Sequence, residues 1–340
     1  MKIVKTEEAV GLTLCHDIAK IVPGEFKGNL FKRGHIVAEE DIPELLKVGK
    51  EHLYVWDETD VDMVHEDDAA LFLAELLGSG HMNRSGINQG RIDFTASVNG
   101  MFLSDTELLY RLNSIPEVAI AARHHLTAVR EGDTLFATRV IPLAVKKKVL
   151  DAAAEVAGGQ PVFTVRPYVH KKVAIVTTGS EVYKGLIEDG FAPVLQRILA
   201  DFDTEEAGRA VVPDVPEVTT KEILRFADEG AGVVLVTGGM SVDPDDRTPL
   251  AIKNTGAHIV THGTPVLPGS MFMLAYLGKT AIIGVPGGVL FSKRTAFDLI
   301  LPRVMADIAM TADDFARLGN GGFCFNCQTC IFPNCGFGAQ

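Results

Sequence analysis

The sequence lacks both a long apolar run and an excess of positive charge. No stretch approaches the roughly 18 consecutive apolar residues of a membrane-spanning helix, and the opening MKIVKTEEAVG lacks the apolar core of a signal peptide. We therefore expect a cytoplasmic protein with no membrane partner. The formal net charge of −12 disfavours nucleic acid as a partner, because affinity for nucleic acid is largely cationic. Backbone amides can still bind a phosphorylated small molecule locally.

Cysteine is scarce except near one end of the sequence. Four of the five cysteines crowd the last 17 residues, at Cys324, Cys327, Cys330 and Cys335. Thiolates at this density suit Zn²⁺ or an iron–sulfur cluster, and such clustering in a cytosolic chain disfavours a disulfide framework. The Cys-x2-Cys-x2-Cys core resembles iron–sulfur ligation, and four zinc ligands in so short a loop are tight but possible, so both metal centres stay open. We predict a metal-binding tail over residues 319–340; a reactive tail without metal is the alternative.

The rest of the chain divides into three predicted segments. They are an α+β subdomain over residues 1–78, a small β-rich or α+β subdomain over residues 79–165, and an α/β domain over residues 171–315. Apolar residues in the first two segments form short runs broken by glycine and charge. Helical spacing there predicts helices over residues 66–77, 106–113 and 146–156.

The pattern becomes regular in the α/β segment. Buried strands are predicted at residues 173–176, 210–212, 233–236 and 281–285, and helices at residues 191–202, 218–226 and 289–308. Continuous apolar strands that alternate with helices indicate a mostly parallel sheet covered on both faces. The predicted fold class is therefore a three-layer α/β domain preceded by smaller α+β or β subdomains.

Glycine-bearing turns follow three of these predicted strands. Ligands of open parallel sheets gather at the carboxyl ends of the strands, where glycine lets backbone amides approach an anion closely. A single turn of this kind is commonly only a tight connection, but three on one sheet favour a phosphate or pterin site. The candidate ligand-binding residues in these turns are Thr178, Gly179, Ser180, Glu181, Thr237, Gly238, Gly239, Ser241, Pro286, Gly287 and Gly288.

Four short elements occur in a specific order across residues 171–310. They are Thr178-Gly-Ser-Glu181, Gly185-x-Ile-x-Asp189, Thr237-Gly-Gly-Met-Ser-Val242 with Asp246, and Pro286-Gly287. In these elements the segment resembles the molybdopterin-binding domain shared by molybdopterin adenylyltransferases and molybdopterin molybdotransferases, the molybdenum insertases. Residues 9–18 and 32–55 also look like segments of the insertase family.

The resemblance implies a ligand, a cation and partners. Molybdopterin is the implied ligand or substrate, and Asp189 and Asp246 are the implied catalytic carboxylates, which would help arrange Mg²⁺. Asp189 has an alternative interpretation as a cap of the helix that begins near Phe191. The resemblance further implies a homo-oligomer, and a molybdenum or tungsten enzyme as client.

Several positions depart from the family pattern. Ser180 stands where the insertases normally have Asp, Gly190-Phe191 where they have Ser or Thr followed by Asn, and Gly288-Val289 where they have Asn-Pro. His262-Gly263-Thr264-Pro265 corresponds to a Pro-Gly-Lys-Pro element of the family, which leaves this chain without a lysine suited to a phosphate. These losses affect side-chain chemistry more than backbone binding.

We therefore predict a protein that binds molybdopterin or the molybdenum cofactor and acts in cofactor biosynthesis. Its enzymatic form would be an insertase-like molybdotransferase or an adenylyltransferase. One alternative is a non-catalytic carrier, or a redox- or metal-responsive sensor, that uses the same pocket. A second alternative is a nucleotide-processing enzyme built on the same domain, which the ordered run of family motifs disfavours.

Overall fold

The computed structural model describes residues 1–22, 26–56 and 61–339. Contacts between Cα atoms group the chain into two compact units. Unit 1 comprises residues 1–95, 105–122 and 134–163, and unit 2 comprises residues 96–104, 123–133 and 164–340. No helix within the described ranges is long and apolar enough to cross a membrane.

Strands and helices are numbered separately in chain order. The strands are β1 Lys2–Lys5, β2 Ile18–Val22, β3 Phe26–Phe31, β4 His52–Val55, β5 Met63–His65, β6 Gly78–Ser79, β7 Met82–Arg84, β8 Arg91–Ala96, β9 Gly100–Ser104, β10 Val118–Ala122, β11 Thr127–Val129, β12 Thr134–Val140, β13 Ala144–Lys146, β14 Phe163–Pro167, β15 Lys171–Thr178, β16 Thr204–Val212, β17 Val233–Thr237, β18 His258–His262, β19 Met273–Leu277 and β20 Thr280–Gly284. The α-helices are α1 Ile42–Lys47, α2 Glu66–Leu77, α3 Thr106–Asn113, α4 Lys147–Ala157, α5 Ser180–Tyr183, α6 Phe191–Leu199, α7 Pro216–Asp228, α8 Thr248–Asn254, α9 Ala296–Met305 and α10 Ala312–Arg317. Short 3₁₀ turns lie at Thr6–Glu8, Glu39–Asp41 and Gly287–Leu290.

Unit 1 contains small antiparallel sheets and three of the predicted helices. Strand β1 pairs with β4, and β2 pairs with β3. Leu14, Leu45 and Leu53 are buried together in a small core of the first segment. A four-stranded sheet in the order β10-β12-β8-β7 follows, with Phe94 and Phe136 stacked at 4.3 Å between ring centroids. The predicted helices over residues 66–77 and 106–113 are confirmed as α2 and α3, and the helix predicted at 146–156 is α4.

Unit 2 is built on a six-stranded sheet in the order β16-β15-β17-β20-β19-β18. Strands β16, β15, β17 and β20 are mutually parallel, whereas β19 is antiparallel to both of its neighbours. The predicted mostly parallel sheet is therefore confirmed. The antiparallel pair β18 and β19 was not foreseen.

Both faces of this sheet are covered, as predicted. Val173 and Ile175 of β15 lie in one core with residues of α6 and α9, whereas Ala174 and Val176 lie in another core with residues of α7 and α8. Successive side chains of a strand point to opposite faces, so a strand covered on both sides must be apolar throughout. The uninterrupted apolar runs of β15, β17 and β20 follow from this requirement.

The long helix predicted over residues 289–308 is wrong in its length. The chain forms a 3₁₀ turn at Gly287–Leu290, and α9 begins only at Ala296. The Thr295 side chain accepts a hydrogen bond from the Phe297 N–H, and Asp298 accepts one from the Thr295 N–H at 2.8 Å. This capping box satisfies the first amides of α9 and starts a new helix there.

Candidate ligand-binding site

Two of the three predicted glycine turns meet at one cavity of unit 2. The cavity has a volume of about 350 Å³ and lies where β17 and β20 end. It is lined by Phe191, Gly238, Gly239, Met240, Ser241, Asp246, Gly269, Ser270, Met271, Val285, Pro286, Gly287 and Gly288. Seven of these residues are among those predicted from the sequence: Gly238, Gly239, Ser241, Asp246, Pro286, Gly287 and Gly288.

A third turn at the cavity, Gly269 to Met271, was missed by the sequence analysis. It precedes β19, whereas the three predicted turns all follow strands. The segment matched to the family's Pro-Gly-Lys-Pro element, His262 to Pro265, does not line the cavity. The detectable signal was the Pro268-Gly269 dipeptide directly before a buried apolar strand.

The first predicted turn, Thr178 to Glu181, does not line this cavity. The Gly179 N–H donates to the carbonyl of Val212 at 3.1 Å, and the Ser180 N–H donates to Asp214 Oδ2 at 2.7 Å. An amide at the start of α5 is therefore satisfied by a carboxylate of the protein itself. Asp214 was not singled out in the sequence, where it reads as an ordinary loop aspartate.

Buried hydroxyl groups connect the first turn to the second. Thr178 Oγ1 and Thr248 Oγ1 are hydrogen-bonded at 3.1 Å, and the Thr248 hydroxyl donates to the carbonyl of Gly238 at 2.8 Å. Gly238 has φ +81°, and a Cβ placed on it would lie 2.1 Å from the carbonyl oxygen of Thr178. Only glycine fits here, because the backbone of β15 approaches the turn so closely.

The cavity offers hydrogen-bond donors from the backbone and one carboxylate. Among the described residues, the N–H groups of Gly239, Met240, Ser241, Ser270 and Met271 donate to no protein acceptor. Such amides need an acceptor from water or from a ligand. The half-buried Asp246 is the one charged residue in the lining, and its Oδ2 accepts from the Asp243 N–H at 3.1 Å. The site therefore suits a ligand with several acceptor atoms and a smaller set of donors.

Asp189 lies outside the cavity lining and serves as a helix cap. Its Oδ1 accepts from the Phe191 N–H at 2.8 Å and from the Ala192 N–H at 3.3 Å. Its Oδ2 accepts from the Thr177 hydroxyl at 2.8 Å, and Thr177 Oγ1 accepts from the buried Thr237 hydroxyl at 3.3 Å. The capping interpretation agrees with these contacts. A catalytic role for Asp189 stays a prediction, and the two aspartates do not share a wall of the cavity.

The four clustered cysteines are divided between the core and the surface. Cys324 and Cys335 are half-buried against the unit 2 core, whereas Cys327 and Cys330 are exposed. No group of three or more His, Cys, Asp or Glu side chains in the described ranges, which include all four cysteines, is arranged to hold a metal ion. Metal ligation by the tail stays a prediction.

The electrostatic surroundings of Cys330 differ from those of an ordinary exposed thiol. The Phe332 N–H donates to its sulfur and lowers the pKa of the thiol, and the nearby positive charges of Arg294 and Lys293 lower this pKa further. A lowered pKa raises the fraction of thiolate, which is the nucleophilic form.

The fold and the cavity together define an α/β ligand-binding domain, and the comparisons give its family. Residues 174–306 match the family described as "Probable molybdopterin binding domain", and residues 3–57 match a domain of unknown function. Molybdopterin molybdenumtransferase of Synechococcus elongatus is 28% identical over a match of 190 residues, with 52% of this chain and 45% of that protein covered. The molybdenum cofactor biosynthesis bifunctional protein of the same organism is 30% identical over 129 residues, 32% of this chain and 40% of that protein. Residues 174–306 thus belong to the molybdopterin-binding domain family.

The molybdopterin biosynthesis enzyme MoaB of Thermus thermophilus is 23% identical, with 42% of this chain and 97% of that chain covered and a TM-score of 0.35. The chain spans less than half the length of these two Synechococcus elongatus relatives.

Proposed function

We propose that unit 2 binds molybdopterin at the cavity between the three glycine turns, and that the protein acts in molybdenum cofactor biosynthesis. The observation that carries this proposal is the meeting of the Gly238, Gly269 and Gly287 turns at one cavity inside the family domain. The cavity volume of about 350 Å³ falls in the range of small-molecule sites.

The chemistry of the lining matches the parts of a phosphorylated pterin. The unpartnered amides of the Gly239–Ser241 and Ser270–Met271 segments suit the oxygen atoms of a phosphate and of a pterin carbonyl. Asp246 suits the N–H groups of a pterin ring or a Mg²⁺ ion. The aromatic ring of Phe191 offers a flat apolar surface to a planar heterocycle.

The same lining favours ligand binding over phosphoryl or adenylyl transfer. Among the residues that the structure describes, no lysine or arginine lines the cavity. Transfer of a phosphoryl group relies on cationic groups that stabilise the charge developing in the transition state. We therefore propose a binding or carrier role for this pocket, with molybdenum insertion as the activity to be tested against it.

The test is an anaerobic titration of the full chain with molybdopterin, followed by pterin fluorescence, for the unsubstituted protein, Asp246→Ala and Asp245→Ala. Asp245 is an exposed neighbour outside the cavity lining, so Asp245→Ala changes the charge equally without removing the contact. Loss of a hydrogen bond to a charged group should weaken binding by about 10-fold or more for Asp246→Ala. Asp245→Ala should bind within about twofold of the unsubstituted chain.

Two results would reject the proposal. One is the absence of any interaction between the unsubstituted chain and molybdopterin, and the other is an equal effect of the two substitutions. Turnover in the presence of Mg²⁺ and molybdate, with release of a product, would show that the pocket is catalytic and would reject the carrier role.

A further inference from the structure

The exposed cysteines lie in a loop that is tied to two of the turns lining the cavity. This loop, residues 324–330, is called the cysteine loop below. At its start, the Leu267 N–H donates to the carbonyl of Gly322 and the Cys324 N–H donates to the carbonyl of Leu267, both at 2.8 Å. Leu267 is only two residues from Gly269, so the loop is joined to the turn that precedes β19.

The cysteine loop is also hydrogen-bonded to the segment that follows Gly287 and Gly288. Lys293 Nζ donates to the carbonyl of Cys327 at 2.7 Å and to the carbonyl of Gln328 at 2.8 Å. The next residue, Arg294, lies close enough to Cys330 for its positive charge to act on the sulfur, and its guanidinium lies 4.8 Å from the centre of the Phe332 ring. The side chains of Lys293 and Arg294 therefore hold the cysteine loop beside the segment that follows the Gly287-Gly288 turn.

The two cysteines at the centre of the loop are suited to react with each other. Cys327 and Cys330 are both exposed, are separated by two residues, and flank a bend at residues 328–329. Cys-x-x-Cys is the spacing of many dithiol–disulfide couples. Cys324 and Cys335 pack against the core and are less accessible to a reagent.

We propose that Cys327 and Cys330 form a reversible disulfide that weakens ligand binding at the cavity. This inference rests on the proposed function for the identity of the ligand. The oxidant is a low-molecular-weight disulfide such as oxidised glutathione. The Cys330 thiolate attacks one of its sulfurs, forms a mixed disulfide and releases one thiolate. The Cys327 thiolate then attacks the Cys330 sulfur and releases the second, so the protein loses two electrons and two thiol protons while the oxidant becomes two thiols.

The contacts of Lys293 and Arg294 with the cysteine loop explain how a disulfide in this loop would affect the cavity. A new bond between the sulfurs removes the Cys330 sulfur from Arg294 and draws the carbonyl groups at residues 327–328 away from Lys293. The segment from Gly287 to Arg294 then loses the contacts that hold it beside the loop. An effect of about fivefold on the dissociation constant is expected, at the lower end of typical coupling between two sites.

The experiment measures molybdopterin binding by the full chain before and after equilibration with oxidised glutathione, with the disulfide mapped by mass spectrometry. Hydrogen exchange of residues 286–294 is measured in the same samples. Oxidation should link Cys327 to Cys330, raise the dissociation constant about fivefold and speed exchange in this segment. Cys327→Ser should abolish all three responses, whereas Cys15→Ser, at a buried cysteine of unit 1, should retain them.

A third variant tests the connection itself. Lys293→Met should still form the disulfide, but its affinity and its hydrogen exchange should respond less to oxidation. If the reduced chain binds no molybdopterin, the proposed function fails, and the exchange of residues 286–294 still decides whether the loop is coupled to the cavity. A disulfide between other cysteines, a bound metal that prevents oxidation, or a Cys327–Cys330 bond without any change in exchange would overturn the inference.

Discussion

Replacement of Arg303 by methionine should stabilise unit 2. Arg303 lies in α9, is only 2% exposed, and its Nε has no hydrogen-bond partner in the described part of the chain. Burial lowers the pKa of its guanidinium to about 10, and the carboxylate of Asp314 offsets this only in part. The folded protein therefore holds a positive charge in an unfavourable position. A methionine side chain fills a similar elongated space without that charge.

The magnitude follows from the change in pKa. The fall of this pKa from its ordinary value to about 10 corresponds to an unfavourable free energy of about 3 kcal/mol for the charged form in the folded state. Loss of the contacts made by the larger guanidinium reduces the gain. We expect Arg303→Met to raise the free energy of unfolding by about 1–2 kcal/mol at neutral pH.

The pH dependence has a definite sign. Below pH about 10 the folded and unfolded states both carry the proton, so the destabilisation by Arg303 is present in full. Above pH about 10 the folded state releases the proton before the unfolded state does, so the unfolded state binds more protons and stability rises with pH. The advantage of Arg303→Met over the unsubstituted chain should therefore shrink as the pH rises above about 10.

The stability of unit 2 is measured by native-state hydrogen exchange of the β17 and β20 amides. The fluorescence of Trp56, the one tryptophan of the sequence, does not report on unit 2, because Trp56 lies in unit 1. Arg197→Met removes an exposed arginine of α6 and should change the free energy by less than about 0.5 kcal/mol. Destabilisation by more than about 1 kcal/mol in Arg303→Met at pH 7 would refute the reasoning, since it would mean that the guanidinium is well paired in solution.

Two further substitutions test the architecture of the site. Gly238→Ala should destabilise unit 2 by at least about 2 kcal/mol and abolish ligand binding, because its Cβ would clash with the Thr178 carbonyl. The control is Gly256→Ala, at a similar φ of +77° with no atom within 4 Å of the new Cβ, which should cost about 1–2 kcal/mol and leave binding intact. Urea unfolding measures the stability of each variant, and ligand titration measures its binding. Thr177→Val should speed hydrogen exchange of the first two amides of α6, because the Asp189 carboxylate that caps them loses a hydrogen bond worth about 1–3 kcal/mol. Thr177→Ser keeps the hydroxyl and should not speed this exchange. Equal exchange in the two variants would show that the hydroxyl does not support the cap.

The parallel part of the fold could be predicted because its signal is local. The central residues of strands β15, β17 and β20 form uninterrupted apolar runs, and the amphipathic pattern of α6 is visible within a few turns of helix. The turns after β17 and β20 were found for the same reason, since Gly238-Gly239 and Gly287-Gly288 follow buried runs directly.

The remaining features depend on contacts between distant residues. Asp214 satisfies the amide of Ser180, although 34 positions separate them, so the glycine of the first turn gave no sign that this turn would be directed away from the cavity. The division of the predicted long helix depended on whether Thr295 would cap a new helix or continue the old one. The sequence pattern was apolar enough for both outcomes, and the paired contacts with Asp298 decide between them.

The reversed direction of β19 has a consequence for how such sheets collect their binding loops. Met273, at the start of β19, is paired with Gly284, at the finish of β20. The connection that leads into β19 therefore lies at the edge of the sheet where β16, β15, β17 and β20 end. The other connections at this edge leave the sheet. Residues 269–271 arrive there without a helix behind them, so their amides carry no helix dipole and their sequence is free of helix-forming constraints. Specificity for different ligands could therefore be altered in this segment while the wound sheet is left unchanged.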